Sequence, residues 1–310
     1  MINLLNCLKN LFEQCFWENK TIPDTPLCLM NDKVFKKMLS SNTEDSREAL
    51  RQLLSACTHR EVTAVKVLNN ELLPLYIGGK TSVLDIRVSF NDGEVADIEM
   101  QMEKSNDDLK KRAAQYSAML QSAQAKKGSY YKNIKRTYQI FFLNYILFPE
   151  SAKMARRYGY REETEYDLLT DTAEIIFYEM PKLDKLVNDY LSGKKQIKNL
   201  SNEEKWCIFF KYHDKKQAKQ LIKDLCKKED GIMRAAKQIE RLPRSYIRYM
   251  TVEMDRMRAN IDRMYEQKAA YDKGLEEGHD EVLELLAQGL SIEEIKQRLY
   301  KTYPRANNSF

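Results

Sequence analysis

The segment TYQIFFLNYILF, at residues 137–148, is a nearly continuous run of apolar and aromatic side chains of strand length. A run of this kind predicts a strand that is buried on both faces. The segments EVTAVKVLNN, VLDIRVSF and VADIEMQM alternate in steps of two and are rich in β-forming residues, and EIIFYEM is a further candidate strand. The chain is therefore expected to have an α/β fold, in which helices flank a small mixed sheet.

Helical patterns lie on both sides of these strands. Asn31 to Leu39 has the spacing of a short helix, and Ser41-x-x-Glu44 matches a capping box that would begin the helix EDSREALRQLLSAC. Helical spacing returns from Asp107 to Lys127 and meets Gly128, where a helix end is expected. The strands are thus predicted to lie between helices in the order that an α/β domain requires.

The length of 310 residues fits about two domains, at roughly 100–200 residues each. A Pro-containing break, TIPDTP, follows an amphipathic segment at the N-terminus, and after Pro181 the chain turns to long, charged, helix-forming stretches. Ser291-x-x-Glu294 is a second capping signal in that part. The predicted organisation is an N-terminal amphipathic helix and linker at 1–27, an α/β domain at 28–180 and a helical domain at 181–310.

Composition excludes several classes of protein. The six cysteines form no C-x-x-C pair and the three histidines lie far apart, so neither a zinc finger nor a disulfide framework is expected. Reduced thiols fit a cytoplasmic protein. No apolar run approaches the ~20 residues of a membrane-spanning helix, so no membrane span is expected. The net charge of +5 is too small to identify a partner by itself.

The hairpin from Val83 to Met102 is the most informative part of the chain for function. Asn91-Asp92-Gly93 has the composition of a three-residue hairpin loop in which Gly takes the left-handed position. That loop sets the pairing of the strands, and Asp85 is then expected opposite Glu99. The apolar face would hold Leu84, Ile86, Val88, Ala96, Ile98 and Met100, and the polar face Asp85, Arg87, Asp97, Glu99 and Gln101.

Two carboxylates in this arrangement would have Cβ atoms only ~4.5–5.5 Å apart, and like charges so placed destabilise a sheet unless a proton or a cation lies between them. A divalent metal ion would resolve the repulsion at Asp85 and Glu99, because Mg²⁺ and Mn²⁺ select hard carboxylate oxygens. An amphipathic strand with a solvated acidic face explains the same pattern without a metal. Asp97 and Glu103, which continue the polar face, are expected to be solvated.

The order and spacing of these motifs resemble the PD-(D/E)xK nuclease core. Asp85 precedes Glu99-x-Gln101 on the next strand, and a helix with Arg112-x-x-x-Tyr116 follows. The resemblance is to the Rpn branch, the recombination-promoting nuclease or putative transposase family, and covers roughly residues 31–149. Three further motifs are similar to that branch: Phe35-Lys36-Lys37-Met38-Leu39, Gly128-Ser129-Tyr130-Tyr131 before the aromatic strand, and the corner at Gly289 to Ile295.

The resemblance implies a Mg²⁺- or Mn²⁺-dependent DNA endonuclease of the kind that promotes recombination or mobile-element transposition. Asp85 and Glu99 would hold the metal, and Gln101 would stand where the superfamily places its catalytic lysine. That departure matters, because a neutral amide orients a water by hydrogen bonds but lacks the charge of an ammonium group. Lys104 and Lys80 are candidates to substitute for the missing lysine.

Other residues receive roles from the same resemblance. Glu44 or Glu48, on the capped helix, would serve as an accessory acid, although each could equally be a solvated helix residue. Lys111, Arg112 and Tyr116 would contact DNA. They belong to a basic, tyrosine-containing stretch that also holds Lys110, Lys126, Lys127, Tyr130, Tyr131, Lys132, Lys135, Arg136 and Tyr138.

Two other functions fit the sequence. A nuclease-derived module could bind DNA or a partner without cleaving, and the missing lysine is the feature that favours it. An interaction scaffold could instead use the long charged helices and the N-terminal amphipathic helix for self-association into a homo-oligomer. Cleavage of DNA that depends on a divalent ion would support the endonuclease and contradict both of these alternatives.

Overall fold

The computed structural model describes residues 27–69, 71–72, 82–104, 108–125, 128, 130–194 and 199–302. The predicted amphipathic helix at 1–27 lies outside the described residues except for Leu27, as do Lys80, Lys126 and Lys127. The chain divides into two units, Met1–Thr251 and Val252–Phe310.

The helices and strands have the following bounds. The strands are β1 (Val65–Val67), β2 (Glu71–Leu72), β3 (Ser82–Val83), β4 (Ile86–Phe90), β5 (Glu94–Gln101), β6 (Thr137–Leu143), β7 (Ala155–Arg161) and β8 (Leu168–Glu179). The helices are α1 (Asp32–Ser40), α2 (Glu44–Thr58), α3 (Leu109–Ser122), α4 (Asp184–Leu191), α5 (Asn202–Tyr212), α6 (Lys219–Lys228), α7 (Asp230–Glu240), α8 (Arg244–Ala287) and α9 (Ile292–Thr302).

The main sheet has six strands in the order β1-β4-β5-β6-β8-β7. Strands β5, β6 and β8 are parallel to one another, whereas β4 joins β5 and β7 joins β8 in antiparallel fashion. β2 and β3 form a separate antiparallel pair. The predicted fold class is confirmed, because helices flank a small mixed sheet and a mainly helical region follows it.

Strand β6 lies at the centre of the core, and all of its residues are buried. On one face of the sheet Phe142 stacks on Tyr178, with ring centroids 5.0 Å apart, and meets Phe210 of α5 edge-on at 5.1 Å. On the opposite face Phe141 belongs to the apolar cluster beneath α3. Full burial of an aromatic side chain stabilises a fold by about 1.5–3 kcal/mol. Burial on both faces, as predicted, therefore fixes β6 between two layers of helices.

The apolar run is longer than the strand that it forms. It was predicted to be a strand as far as Phe148, but β6 ends at Leu143. Beyond that point the backbone N–H groups of Leu147 and Phe148 donate to Oε1 of Glu179, at 2.6 and 2.9 Å. Because a side chain takes the hydrogen bonds that a neighbouring strand would otherwise accept, the run continues as a loop against the core.

The start of α2 differs from the predicted capping box. Thr43 is the N-cap, and its Oγ1 accepts a hydrogen bond from the backbone N–H of Ser46 at 3.1 Å. The hydroxyl of Ser41 instead donates to the carbonyl oxygen of Lys37 near the end of α1 at 2.5 Å. Ser41 therefore stabilises the end of one helix, while the next helix begins at Glu44, as predicted, with a different cap.

Other helix and strand boundaries also differ from the predicted ones. The helix that was predicted from Asp107 to Lys127 is α3, which Asp108 caps through hydrogen bonds from two backbone N–H groups. Gly128 has a φ of +84° but lies beyond the helix end, in a loop. The sequence did not predict β7, whose residues ARRYGYR are partly or fully exposed on the outermost strand and so carry no apolar alternation.

Helices beyond Pro181 contribute to the core of the first unit. Trp206, Phe209 and Phe210 of α5 are buried, and Phe210 packs edge-on against Phe35 of α1, with ring centroids 5.3 Å apart. The boundary that was predicted between residues 180 and 181 thus lies inside the unit Met1–Thr251, because α5 covers the sheet.

The second unit contains the greater part of α8, followed by α9. The predicted capping signal at its second helix is confirmed, since Ser291 N donates to Glu294 Oε2 at 2.8 Å and Glu294 N donates to Ser291 Oγ at 3.4 Å. Leu285 and Ile295 are its buried apolar residues among those described. Within the described part of the chain, no helix combines the length and apolar character that a membrane crossing requires.

Candidate active site

The candidate site lies on the β4–β5 hairpin, whose register is the predicted one from Ile86 to Phe90. Because β4 begins at Ile86, the pair that was predicted between Asp85 and Glu99 is not part of the strand ladder. Arg87 pairs with Asp97 and Ile86 with Ile98. The loop turns at Gly93, which has a φ of +95°. Glycine adopts this left-handed conformation without the strain that a side chain would cause, so the loop composition identified the turn correctly.

The first carboxylate comes from Asp85, at a bend immediately before β4. Its Oδ2 accepts a hydrogen bond from the backbone N–H of Met100 at 3.2 Å. Asp85 is thereby fixed beside β5, one residue from Glu99. The bend also corrects a prediction about Leu84, which was expected to share a face with Ile86. Leu84 instead joins the apolar cluster on the α3 side of the sheet.

The second carboxylate comes from Glu99, which is only 4% exposed. The Gln101 side-chain amide donates a hydrogen bond to Glu99 Oε2 at 3.2 Å. Arg112, on α3, places its Nη2 3.8 Å from the same oxygen. The structure therefore brings Glu99 and Gln101 of β5 together with Arg112 of α3, next to Asp85. Arg112 joins them through the packing of α3 on the sheet, since it belongs to a different element of the chain.

The acidic face is not solvated, and this changes the ionisation of its carboxyl groups. Burial and the nearby charge of Asp85 raise the pKa of Glu99 to about 7, although the charges of Arg112 and Lys36 and the hydrogen bond from Gln101 act in the opposite direction. The carboxylate of Glu99 is thus undercompensated. A cation beside it would replace the proton and relieve the repulsion from Asp85.

Asp97 was expected to be solvated, and that expectation is wrong. Its side chain is fully buried, because β5 and β6 place it beside Gln139 in the interior of the sheet. Oδ2 accepts a hydrogen bond from the Gln139 amide, while Oδ1 has no hydrogen-bond partner among the described residues. Burial, and then the charge of Glu99, raises the pKa of Asp97 well above its usual value. Both effects favour the neutral acid at this position.

Lys36 is a residue of the site that the sequence analysis did not assign to it. Its Nζ lies 2.8 Å from Oδ1 of Asp85. Lys36 is on α1, which packs against the opposite face of the sheet from α3, and it reaches the carboxylate from there. The only sequence signal was the motif around Phe35 and Lys36, which marked the resemblance but did not indicate which side chain Lys36 meets.

A family model described as PD-(D/E)XK nuclease family transposase matches residues 29–270 of the chain. The chain belongs to this PD-(D/E)XK nuclease family. The match confirms the resemblance that the motifs indicated, and it extends beyond residue 149 through α4–α7 into α8. No curated protein and no solved structure matches the chain significantly.

PD-(D/E)XK nucleases generally use divalent metal ions, and the residues of this site fit such an ion. Within the described ranges, no group of three or more His, Cys, Asp or Glu side chains is arranged to hold a metal. Asp85 and Glu99 supply two carboxylates. Mg²⁺ commonly takes one or two carboxylates and completes its shell with water and substrate phosphates, so the hard oxygen donors here suit it.

The remaining predicted residues lie around this PD-(D/E)XK centre in different environments. The Lys111 side chain is 87% exposed, with its Nζ 3.6 Å from Asp108 Oδ2. Tyr116 is half-buried and packs against the apolar cluster that contains Leu84 and Met119. Lys111 is thus open to a ligand, whereas Tyr116 contributes to the packing of α3 on the sheet.

The two candidate accessory acids lie on α2. Glu48 accepts hydrogen bonds from Arg51 and Gln52, both on its own helix, at 2.6–2.8 Å. The hydrogen bond from Arg51 is the main cause that lowers the pKa of Glu48 to about 2. Glu44 is exposed at the first turn of the helix. Glu103, past the end of β5, is exposed, as was expected.

Proposed function

We propose that this PD-(D/E)XK family member is a DNA endonuclease that hydrolyses phosphodiester bonds with the aid of Mg²⁺ or Mn²⁺. The observation that carries the proposal is the position of Asp85, fixed by Met100 N at 3.2 Å beside the undercompensated carboxylate of Glu99. Two such carboxylates are chemically suited to hold one divalent ion, which would activate a water and bind a phosphate oxygen.

Each nearby side chain has a separate role in this proposal. Asp85 and Glu99 hold the ion, and the Gln101 amide, which already donates to Glu99 at 3.2 Å, fixes the orientation of that carboxylate. The Nε and Nη2 atoms of Arg112 are buried and have no hydrogen-bond partner within the described structure. Buried N–H groups without a partner are costly. A phosphate oxygen of the DNA would satisfy them.

A surface near the start of β6 supports contact with a nucleic-acid backbone. Tyr130 and Tyr131 are 72% and 85% exposed, and Lys132 Nζ lies 5.3 Å from the ring centroid of Tyr130. Exposed Lys and Tyr side chains bind phosphates and stack on bases without sequence preference. Arg136 does not belong to this surface, because it pairs with Glu174 at 2.9 Å.

Supercoiled plasmid incubated with the purified protein and Mg²⁺ or Mn²⁺ tests the proposal. The wild-type protein is expected to nick or linearise the DNA, and Asp85→Ala and Glu99→Ala are each expected to reduce the rate at least about 10³-fold. Glu103→Ala is the matched control, because it removes an exposed acid at the end of the same strand. Equal cleavage by the wild type and the Asp85 and Glu99 variants would exclude these residues from the reaction.

Gln101 favours a second candidate function, a nuclease-derived module that binds DNA without cleaving it. The strand position of the usual lysine carries a neutral amide, which supplies no positive charge to an anionic transition state. DNA binding without divalent ions, combined with no cleavage in either Mg²⁺ or Mn²⁺, would support this second function and contradict the first.

The proposal includes a biological role for the cleavage. Cleavage of this kind would serve recombination or mobile-element transposition, in line with the transposase description of the family. Homo-oligomerisation, a cytoplasmic location and the domain boundary near residue 27 stay predictions from the sequence.

A further inference from the structure

Helix α1 holds Lys36 in a defined position beside the site. Asn31 caps the helix by accepting hydrogen bonds from the backbone N–H groups of Lys33 and Val34, at 3.1 and 3.3 Å. The buried stripe of Val34, Phe35, Met38 and Leu39 fixes the helix on the sheet. Lys36 lies at the flank of this stripe, so the packing of α1 directs its side chain toward Asp85.

The positive charges next to the two carboxylates come from helices and not from β5. Lys36 contacts Asp85 at 2.8 Å from α1, and Arg112 lies 3.8 Å from Glu99 on α3. Gln101, on the strand itself, contributes a neutral amide. Lys36 makes the closer of the two charge contacts. Its side chain is 31% exposed, compared with 20% for Arg112, so it has more room to meet a ligand.

We propose that Lys36 supplies the ammonium group that β5 lacks at Gln101, and that it stabilises the negative charge which develops on the phosphodiester during cleavage. This inference rests on the proposed nuclease function. The lysine side chain is long and flexible, so its ammonium can contact Asp85 and a phosphate held at the same carboxylates. The function of the strand lysine has in this way moved to a helix on the other face of the sheet.

An ordinary surface ion pair between Lys36 and Asp85 would make a different prediction. Such pairs contribute little to stability, and the loss of this one would strengthen metal binding at Asp85 without slowing cleavage at saturating metal. A cation next to a metal site repels the metal, whereas the same cation attracts the anionic transition state. Neutralising Lys36 is therefore expected to strengthen metal binding and to slow cleavage.

Titration calorimetry with Mn²⁺ and plasmid cleavage, applied to the full chain, measure these two effects. We expect Lys36→Met to bind Mn²⁺ about five-fold more tightly and to cleave about 100-fold more slowly. Lys37→Met is the matched control, because Lys37 is exposed on the same helix, and it should change neither quantity. Circular dichroism before the assays confirms that each variant is folded.

A rescue experiment separates a lost charge from a lost contact. In the double variant K36M/Q101K the ammonium returns from the strand, and cleavage is expected to recover to within about ten-fold of the wild type. Lys36→Arg, which keeps the charge, should retain more activity than Lys36→Met. A folded Lys36→Met protein that cleaves at the wild-type rate, or a double variant no faster than Lys36→Met, would overturn the role of Lys36.

The result for the wild type distinguishes this proposal from the one beneath it. Absence of cleavage by the wild-type protein in Mg²⁺ and Mn²⁺ would overturn the nuclease function and the role of Lys36 together. Cleavage that requires Asp85 and Glu99 but not Lys36 would overturn only the role of Lys36.

Discussion

Two clusters of charged side chains in the first unit differ in how well their charges are compensated. The Arg157 cluster consists of Arg157, Glu174, Tyr178 and Glu203, with His59 at its edge. Arg157 donates to Glu174 at 2.8 Å and also to Glu203, while the Tyr178 hydroxyl donates to Glu203 at 2.7 Å. Every carboxylate in this cluster has a close donor.

The candidate site is composed of Lys36, Asp85, Glu99, Gln101 and Arg112. Within it Asp85 has a close cation in Lys36, at 2.8 Å, but Glu99 has none. The two acids repel each other, and the Arg112 guanidinium remains 3.8 Å from Glu99 with buried N–H groups lacking a partner among the described residues. The contrast shows in the pKa values. Burial and Asp85 raise that of Glu99 to about 7.

Glu203 is partly buried, which raises its pKa, but the hydrogen bonds from Tyr178, His59 and Arg157 outweigh burial and lower it. Burial alone therefore does not distinguish a functional acid from a structural one. The number and closeness of the donors make the difference. A cluster that satisfies its own charges stabilises the fold, whereas one that leaves them uncompensated has capacity to bind a ligand.

Removing Arg157 should have the largest effect on stability and is the strongest test of the comparison. Arg157→Met leaves Glu203 without its main cation, while Glu174 keeps only Arg136 at 2.9 Å, and the free energy of unfolding is expected to fall by about 3 kcal/mol. Urea denaturation followed by circular dichroism measures this loss. Arg161→Met, an exposed change on the same strand, should stay within about 0.5 kcal/mol of the wild type. If Arg157→Met lost no more stability than Arg161→Met, the structural role assigned to this cluster would be wrong.

The free energy of unfolding of the metal-free protein should depend on pH through Glu99, and the pKa of Glu99 sets the direction of that dependence. Its pKa is raised from 4.5 to about 7 in the folded protein, so between these pH values the folded state binds more protons than the unfolded state. Stability from Glu99 is therefore greatest below pH 4.5 and falls by about 3 kcal/mol as pH rises through 7.

Urea unfolding at about pH 4.5 and pH 8, in the wild type and in Glu99→Gln, isolates this effect. The variant cannot ionise at this position, so it should become more stable relative to the wild type as pH rises. A constant difference between the two proteins across this range would mean that Glu99 is compensated like Glu203 and would remove the contrast between the clusters.

Arg112 provides a finer test of uncompensated donors. If its buried N–H groups meet a phosphate only when DNA is bound, Arg112→Gln should reduce cleavage about 100-fold and leave stability nearly unchanged. Plasmid cleavage and urea denaturation of the same preparation give both quantities. A large loss of stability with unaltered cleavage per folded molecule would place Arg112 with Arg157 as a structural residue.

Lys111 should show the smallest effect, because its side chain is 87% exposed and pairs only loosely with Asp108, at 3.6 Å. Lys111→Gln is expected to weaken DNA binding a few-fold at low salt and to reduce the slope of log affinity against log salt by about one. Fluorescence anisotropy with labelled duplex DNA at several salt concentrations measures the slope. A slope identical to that of the wild type would mean that Lys111 contacts no phosphate.

The hairpin shows how much of the candidate site could be predicted. The alternation along β4 and β5, together with Gly93 at the turn, correctly predicted the pairing of Arg87 with Asp97. Those features act between near neighbours in the chain. The same pattern did not predict the bend at Asp85 or the burial of Asp97, because both depend on segments packed against the hairpin from elsewhere.

The sequence by itself determined the strands of the hairpin, the buried aromatic strand and the family, because periodicity, turn residues and motif spacing are local properties of the chain. Only the tertiary structure decided which charges meet. Lys36 reaches Asp85 from α1, Arg112 reaches Glu99 from α3, and Gln139 of β6 covers Asp97. The ionisation of a carboxyl group depends on the solvent and charges around it in space, and long-range packing sets both.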